Sequence, residues 1–119
     1  MSAREIAEQF VKFYYQTFDT NRAGLAHLYR DTSMMSFESA ETMSAVAIVE
    51  KLVSLPFSKV EHKILSVDAQ PVDANILILV SGQLLTDGES HPQFFSQSFL
   101  LKNDGNFYIA HDIFRLIYG

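Results

Sequence analysis

Residues 60–85 read VEHKILSVDAQPVDANILILVSGQLL, two apolar runs separated by a short polar turn that contains a proline. Aliphatic and β-branched side chains dominate both runs, as is typical of strands, and the turn is short enough for a hairpin. Two more runs of this kind follow after further turn-rich connections. The pattern predicts four long antiparallel strands in succession: Val60–Ala69, Ile76–Leu85, Phe94–Leu101 and Phe107–Leu116.

The chain before residue 60 has helical character and starts with a capping box. Ser2 and Glu5 have the spacing at which each side chain caps the backbone N–H of the other. Apolar and aromatic residues then recur at helical spacing and predict a first helix that runs to about Thr17. The residues that define its apolar face are Ile6, Phe10, Phe13, Tyr14 and Phe18.

Two shorter helices and one short strand are predicted between this first helix and residue 60. The second helix is indicated by three apolar residues at helical spacing, Leu25, Leu28 and Tyr29. Met34–Phe37 has the composition of a short strand. Ser44 is expected to cap a third helix, which must end before Pro56 because proline disfavours a helical conformation in the residue that precedes it.

Helices followed by a long antiparallel sheet are the α+β pattern. Strands twist, so this sheet is expected to curve strongly, to wrap on the three N-terminal helices and to leave a cone with an apolar cavity between the layers. Residues 1–119 show no internal repeat, low-complexity tract or linker, which predicts a single domain. Function is expected at the cavity, because ligand sites are concave and mostly apolar.

The composition excludes several classes of function. Nine Lys and Arg against fourteen Asp and Glu leave a formal charge of −5, and the basic residues are scattered, so no nucleic-acid partner is expected. No apolar run approaches the roughly 18 residues of a membrane span, and no signal peptide is recognisable, so we expect no membrane insertion and an intracellular protein. The chain has no Cys, which excludes disulfides and thiolate chemistry.

No motif indicates a cofactor, a metal site or a catalytic nucleophile. The four His are far apart, there is no Gly-x-Ser-x-Gly elbow, and the glycines are too dispersed for a phosphate-binding loop. One enzymatic alternative stays open: a cone-fold isomerase or dehydratase of a small apolar molecule, with its acid and base among Tyr14, His111 and Asp112. Core packing and ordinary strand positions explain the three residues more simply, so no enzyme activity is expected.

Four segments of the chain resemble the nuclear transport factor 2 family. FVKFYYQTFD at 10–19 is similar to the opening of the family's first helix, and IVEKLVSLPF at 48–57 to a later helix and its exit. DAQP at 68–71 and DIFRL at 112–116 match a turn and the last strand. The resemblance covers essentially the whole chain and implies the curved sheet and cone derived above. It also implies a homodimeric carrier that returns the GDP-bound small GTPase Ran to the nucleus.

The resemblance further implies where Ran would bind. In the family, an aromatic side chain of the GTPase enters the cavity, and basic residues beside it pair with acids on the rim. A buried aromatic supplies affinity, and rim charges orient the partner. On the rim, the acid at position 38 is expected to contribute little to folding. The matching rim acids are Glu38, Asp87 and Glu89, and the matching cavity positions are Phe37, Leu55, Val60, Ile113 and Phe114.

Further partners follow from the same resemblance. The family binds nucleoporins with Phe-x-Phe-Gly repeats, often through a large aromatic near the start of the first helix; Ala3 occupies that place here, so weak binding is expected. Residues 76–80, ILILV, are apolar on both faces, which predicts that two copies pair their outer sheet faces. Such a carrier belongs in the cytoplasm and nucleus, concentrated at the nuclear pore. A subunit of a heterodimeric mRNA export receptor, which shares the fold, is a further alternative.

Overall fold

The computed structural model describes residues 1–117. These residues form two α-helices, one 3₁₀ helix and six strands of one curved sheet. The bounds of the elements are α1 Ala3–Thr20, the 3₁₀ helix Arg22–Leu28, β1 Tyr29–Phe37, β2 Ala40–Met43, α2 Ala45–Val53, β3 Val60–Val72, β4 Asn75–Thr86, β5 Gln93–Asn103 and β6 Phe107–Ile117. The α+β class and the curved sheet predicted from the sequence are confirmed.

The sheet has the strand order β2-β1-β6-β5-β4-β3. Strands β3 to β6 form the expected antiparallel meander. Strand β1 lies beside β6 and runs parallel to it, with Phe37 opposite Phe114. The sheet is therefore mixed rather than purely antiparallel. Strand β1 also covers the edge of β6, which would otherwise be exposed.

Helix α1 starts at the predicted cap and ends at Thr20, slightly beyond the predicted Thr17. Ser2 Oγ accepts a hydrogen bond from Glu5 N–H at 3.1 Å, and Glu5 Oε1 accepts one from Ser2 N–H at 3.2 Å, which completes the capping box. The apolar face of α1 packs on the sheet, as the 4.9 Å between the ring centroids of Tyr14 and Phe99 shows. Within residues 1–117, no helix has both the length and the apolarity that a membrane crossing requires.

The region between α1 and α2 differs from the sequence prediction. The second helix is a 3₁₀ helix, and Tyr29 belongs to β1 instead of that helix. Strand β2, which the sequence did not predict, forms a hairpin with β1 through a turn in which Glu38 and Ser39 have φ of 51° and 76°. The residues of β2 are mostly exposed, so they lack the alternation of apolar and polar side chains by which a strand is recognised.

Helix α2 confirms the third predicted helix. Ser44 Oγ accepts a hydrogen bond from Ala47 N–H at 3.3 Å, and the helix ends at Val53, before Pro56. Residues 54–59, which we call the wall segment, connect α2 to β3 without regular secondary structure. This segment becomes part of the candidate site.

The two faces of the sheet have different environments. In β4, Ile78 and Val80 are buried under the helical layer, whereas Leu77 and Leu79 are 45% and 47% exposed on the outer face. This alternation is the two-residue period of a strand. Across the sheet, Leu79 pairs with Ser98 and Ser98 pairs with Ile113, so these residues share the outer face. Exposed apolar side chains therefore occupy the side of the sheet that the helices leave uncovered.

Candidate functional site

An apolar cavity of about 220 Å³ lies between the helical layer and the inner face of the sheet. Aromatic and aliphatic side chains from both α-helices and from β1, β3, β4 and β6 form most of its wall, together with residues 55–57 of the wall segment. A cavity of about 150 Å³ with such a lining can hold benzene, so this one has room for a single aromatic side chain. The cavity predicted from the sequence is therefore present.

Four of the five cavity residues predicted from the sequence line this space: Phe37, Leu55, Val60 and Phe114. The rings of Phe37 and Phe114 stack at a centroid distance of 4.7 Å. The placement predicted for Ile113 is wrong, because its side chain is 52% exposed on the outer face. Successive residues of a strand point to opposite faces, so Ile113 cannot share the inner face with Phe114.

Glu38 lies at the edge of the cavity, in the turn between β1 and β2. Its backbone N–H donates to the carbonyl of Phe114 at 3.1 Å, and its Oε1 accepts a hydrogen bond from the backbone N–H of Leu116. Phe114 and Leu116 both line the cavity, so Glu38 ties the turn to the cavity wall. This hydrogen bond argues against the expectation that Glu38 contributes little to folding, because its carboxylate satisfies a partly buried backbone N–H.

Asp87 lies in the connection between β4 and β5, next to Thr86, which lines the cavity. Its Oδ1 accepts three hydrogen bonds of 3.0 Å, from the backbone N–H of Lys59 and from the N–H and hydroxyl of Ser58. These bonds, that from the Lys59 backbone first, lower the pKa of Asp87 below its usual range. Asp87 is thus a charged, exposed acid that also anchors one end of the wall segment.

Glu89 is exposed and follows Asp87 in the same connection. Its backbone N–H donates to the carbonyl of Thr86 at 3.0 Å, which tightens the turn. Thr86 and Leu116 both line the cavity. Asp87 and Glu89 lie beside Thr86, whereas Glu38 lies beside Leu116, so the acids occupy two different places on the edge. A role for any of the three acids in binding stays a prediction.

A buried polar network behind the cavity was not predicted from the sequence. Asp112, only 1% exposed, accepts hydrogen bonds from the Tyr29 hydroxyl at 2.8 Å and from Gln97 Nε2 at 2.7 Å. Gln97 Oε1 accepts one from the Tyr15 hydroxyl at 2.6 Å, and the hydroxyls of Tyr14 and Tyr29 are 3.3 Å apart. Burial raises the pKa of Asp112 to about 6. One signal was available: Gln97 alternates with Phe95 and Phe99 and so had to face the core.

This network bears on the enzymatic alternative. Tyr14 lines the cavity, but Asp112 lies behind it, and His111 is exposed because the strand turns its side chain outward. Burial first, and the nearby Asp112 second, raise the pKa of Tyr14 and make it a poorer proton donor. The structure therefore does not bring Tyr14, His111 and Asp112 together as an acid and base around a substrate.

His62 lines the cavity, a position that was not predicted from the sequence. Its Nδ1 lies 2.5 Å from Asp19 Oδ1, and its backbone N–H donates to Asp19 Oδ2 at 2.9 Å. The ring packs edge-on against Phe18 and Phe95, at centroid distances of 5.1 and 5.5 Å. His62 thus joins the end of α1 to β3, and the described residues include no cluster of three or more metal-ligating side chains.

The model of the nuclear transport factor 2 domain matches residues 6–116. The chain belongs to the nuclear transport factor 2 family. A relative named nuclear transport factor 2 from Emericella nidulans is 52% identical over 98% of this chain and 96% of its own length. Another of that name, from Saccharomyces cerevisiae, is 52% identical over 96% of this chain and 94% of its own. The structure of nuclear transport factor 2 from Cryptosporidium parvum covers 97% of this chain and 94% of that chain, with a TM-score of 0.90 and 39% identity.

More distant structures of nuclear transport factor 2 fold have other names. A putative scytalone dehydratase from Novosphingobium aromaticivorans has a TM-score of 0.79 at 15% identity, covering 97% of this chain and 85% of that one. The C. albicans Mtr2–Mex67 M domain complex has a TM-score of 0.73 at 15% identity, covering 97% and 94%. Likeness at this identity shows the fold alone. The relatives at about 50% identity are named as transport factors, which supports a role in nuclear transport rather than in catalysis.

Proposed function

We propose that this protein is a nucleocytoplasmic carrier that binds the GDP-bound form of Ran and returns it to the nucleus. The observation that carries the proposal is a cavity with room for one aromatic ring whose edge bears Glu38, Asp87 and Glu89. A partner that presents an aromatic side chain between basic residues matches both features. Membership of the nuclear transport factor 2 family supports the same assignment.

The cavity and the acids have different physical effects on such a partner. Full burial of a Phe side chain contributes about 1.5 to 3 kcal/mol, so the cavity supplies much of the affinity. The acids attract basic residues, which orients the partner and speeds encounter, and this attraction weakens as salt screens it. We therefore expect the complex to weaken at high ionic strength, mainly through a slower association rate.

The carrier is a homodimer in this proposal, with the outer sheet faces of two copies in contact. The support is the exposed apolar surface that includes Leu77, Leu79 and Ile113, on the face that the helices leave uncovered. Contiguous exposed apolar surface of this kind marks an interaction site. Self-association also separates this function from the alternative of a heterodimer subunit in an mRNA export receptor, which would pair this face with a different chain.

Nucleoporins with Phe-x-Phe-Gly repeats are the second class of partner, and they place the carrier at the nuclear pore in transit between cytoplasm and nucleus. Ala3 is the first residue of α1 and packs partly buried against the core. Its methyl group offers a Phe ring far less surface than an aromatic side chain would, so binding at this point is weak.

Calorimetry with Ran loaded with GDP or with GTP tests the proposed function. We expect binding of the GDP form, weaker at high salt, and no measurable binding of the GTP form under the same conditions. Absence of binding to either form would show that the proposed function is wrong. Equal binding of both forms would leave a Ran-binding protein but would contradict a carrier that is selective for the GDP state.

A further inference from the structure

The position of the wall segment depends on hydrogen bonds from side chains elsewhere in the chain. Leu55, Pro56 and Phe57 from this segment line the cavity, yet residues 54–59 belong to no helix or strand. The position of a segment outside any helix or sheet depends on the hydrogen bonds that its carbonyl and N–H groups make with the rest of the chain. Asp87 holds one end through Ser58 and Lys59.

Arg22, the first residue of the 3₁₀ helix, links the end of α2 to Phe57 of the wall segment. Its Nη1 donates to the carbonyl of Leu52 at 3.1 Å, and its Nη2 donates to the carbonyl of Phe57 at 2.7 Å. The same guanidinium lies 5.0 Å from the ring centroid of Phe57 and 5.9 Å from that of Phe18. Leu52, Phe57 and Phe18 all line the cavity, so one side chain contacts three parts of its wall.

The chemistry of arginine suits this arrangement. The planar guanidinium presents several N–H donors in a rigid fork, so it can reach two carbonyls at once while its face stacks on an aromatic ring. Leu52 belongs to the last turn of α2, where a positive charge is also favoured by the helix dipole. A lysine at this position would keep the charge but could not bridge both carbonyls in the same geometry.

We propose that Arg22 is a positioning residue for the partner site: it fixes the wall segment so that the cavity stays open to an aromatic ring, and it does so without touching the partner. Because Leu52 precedes the wall segment and Phe57 is the last of its cavity-lining residues, bridging their carbonyls fixes Leu55 and Pro56 between two anchored points. This inference rests on the proposed function, since the partner's ring is taken to enter this cavity.

The test uses Arg22→Lys and a matched control, Arg30→Lys. Arg30 makes similar contacts at a place that does not line the cavity: it lies 4.9 Å from the ring centroid of Tyr108, its Nη1 donates to the carbonyls of His27 and Tyr29 at 3.0 and 3.1 Å, and its Nε also pairs with Asp104 at 3.3 Å. Each variant is measured by calorimetry with GDP-loaded Ran, by titration with indole as a free aromatic probe of the cavity, and by urea unfolding.

We expect Arg22→Lys to weaken the binding of both Ran and indole by about tenfold, because a lysine can donate to only one of the two carbonyls and the other hydrogen bond from a charged donor is lost. Arg30→Lys should leave both affinities within about twofold even if it lowers stability equally, since it acts away from the cavity. Amide hydrogen exchange adds a local measurement: the N–H groups of Ser58 and Lys59 should exchange faster in Arg22→Lys and not in Arg30→Lys.

Parental affinities for both ligands in Arg22→Lys would overturn the inference, as would equal losses in the two variants that follow stability alone. If the parent binds indole but not Ran, the proposed function fails, while a weaker indole complex of Arg22→Lys would still support the positioning role. Should Arg22→Lys not fold, Arg22→Gln, which keeps an amide donor for one carbonyl, takes its place under the same criteria.

Discussion

Glu38 Oε1 accepts a hydrogen bond from the backbone N–H of Leu116, so an acid at the edge of the cavity is bonded to strand β6. The same carboxylate is proposed to meet a basic residue of Ran. A substitution at this position can therefore change the charge at the edge, the support of the cavity wall, or both. The two effects can be separated by choosing side chains that remove them one at a time.

Glu38→Gln keeps an oxygen acceptor for Leu116 N–H and removes the charge. We expect its unfolding free energy to stay within about 0.5 kcal/mol of the parent, while its affinity for GDP-loaded Ran falls about tenfold. Glu38→Lys removes the acceptor and reverses the charge, so Ran binding should be lost and stability should fall by about 1 to 3 kcal/mol. Calorimetry and urea unfolding measure the two effects, and undiminished Ran binding by Glu38→Lys would exclude Glu38 from the site.

The buried Asp112 should make stability depend on pH. Burial raises its folded-state pKa to about 6 from the usual 3.8 of an exposed Asp, so between these values the folded state binds more protons than the unfolded state. The free energy of unfolding should therefore fall as pH rises from about 4 to about 6, by about 3 kcal/mol, and this contribution should be constant above that range.

Asp112→Asn is the control for this pH dependence, because it has the same shape without the titrating group. Its amide can donate to the Tyr29 hydroxyl while its oxygen still accepts from Gln97, if the Tyr29 hydroxyl donates to Tyr14 instead. We expect the difference in unfolding free energy between the parent and Asp112→Asn to change with pH over the same interval. A difference independent of pH would show that Asp112 is ionised in both states.

Leu79→Glu tests the proposed homodimer, because Leu79 is exposed in the isolated chain and lies beside Ile113 across Ser98 on the outer face. The parent should have the mass of a dimer by light scattering at micromolar concentration, and Leu79→Glu should have that of a monomer, since a charge would be buried without a partner. Val46→Glu, at an exposed apolar position on α2, is the control and should stay dimeric. A monomeric parent would contradict the proposal.

Ala3→Trp tests the nucleoporin site at the start of α1. A Trp ring at this position would give a Phe side chain of a Phe-x-Phe-Gly peptide a large surface to pack against, so the variant should bind such peptides more tightly than the parent. Gln9→Trp, at an exposed position farther along α1, controls for the general stickiness of an added Trp. An unchanged titration for Ala3→Trp would remove this position from the proposed site.

The elements that sequence patterns predicted best are those whose signal is local. The capping box of Ser2 and Glu5 marked the start of α1, and the apolar run at 76–80 marked β4, whose side chains in the structure alternate between a buried and an exposed face. The same alternation should have excluded Ile113 from a cavity that already contains Phe114, because neighbours on a strand point to opposite faces. Strand β2 was missed because its exposed residues carry no such pattern.

The amino-acid sequence by itself determined α1, α2, the four strands of the meander and the acids available to a partner, because backbone periodicity and side-chain polarity record local geometry. Only the tertiary structure decided that β1 runs parallel to β6, that Tyr29 and Gln97 meet Asp112, and that Arg22 bridges Leu52 and Phe57. These contacts join residues far apart in the chain. Their partners are set by how whole elements pack, and no spacing within a single element encodes that packing.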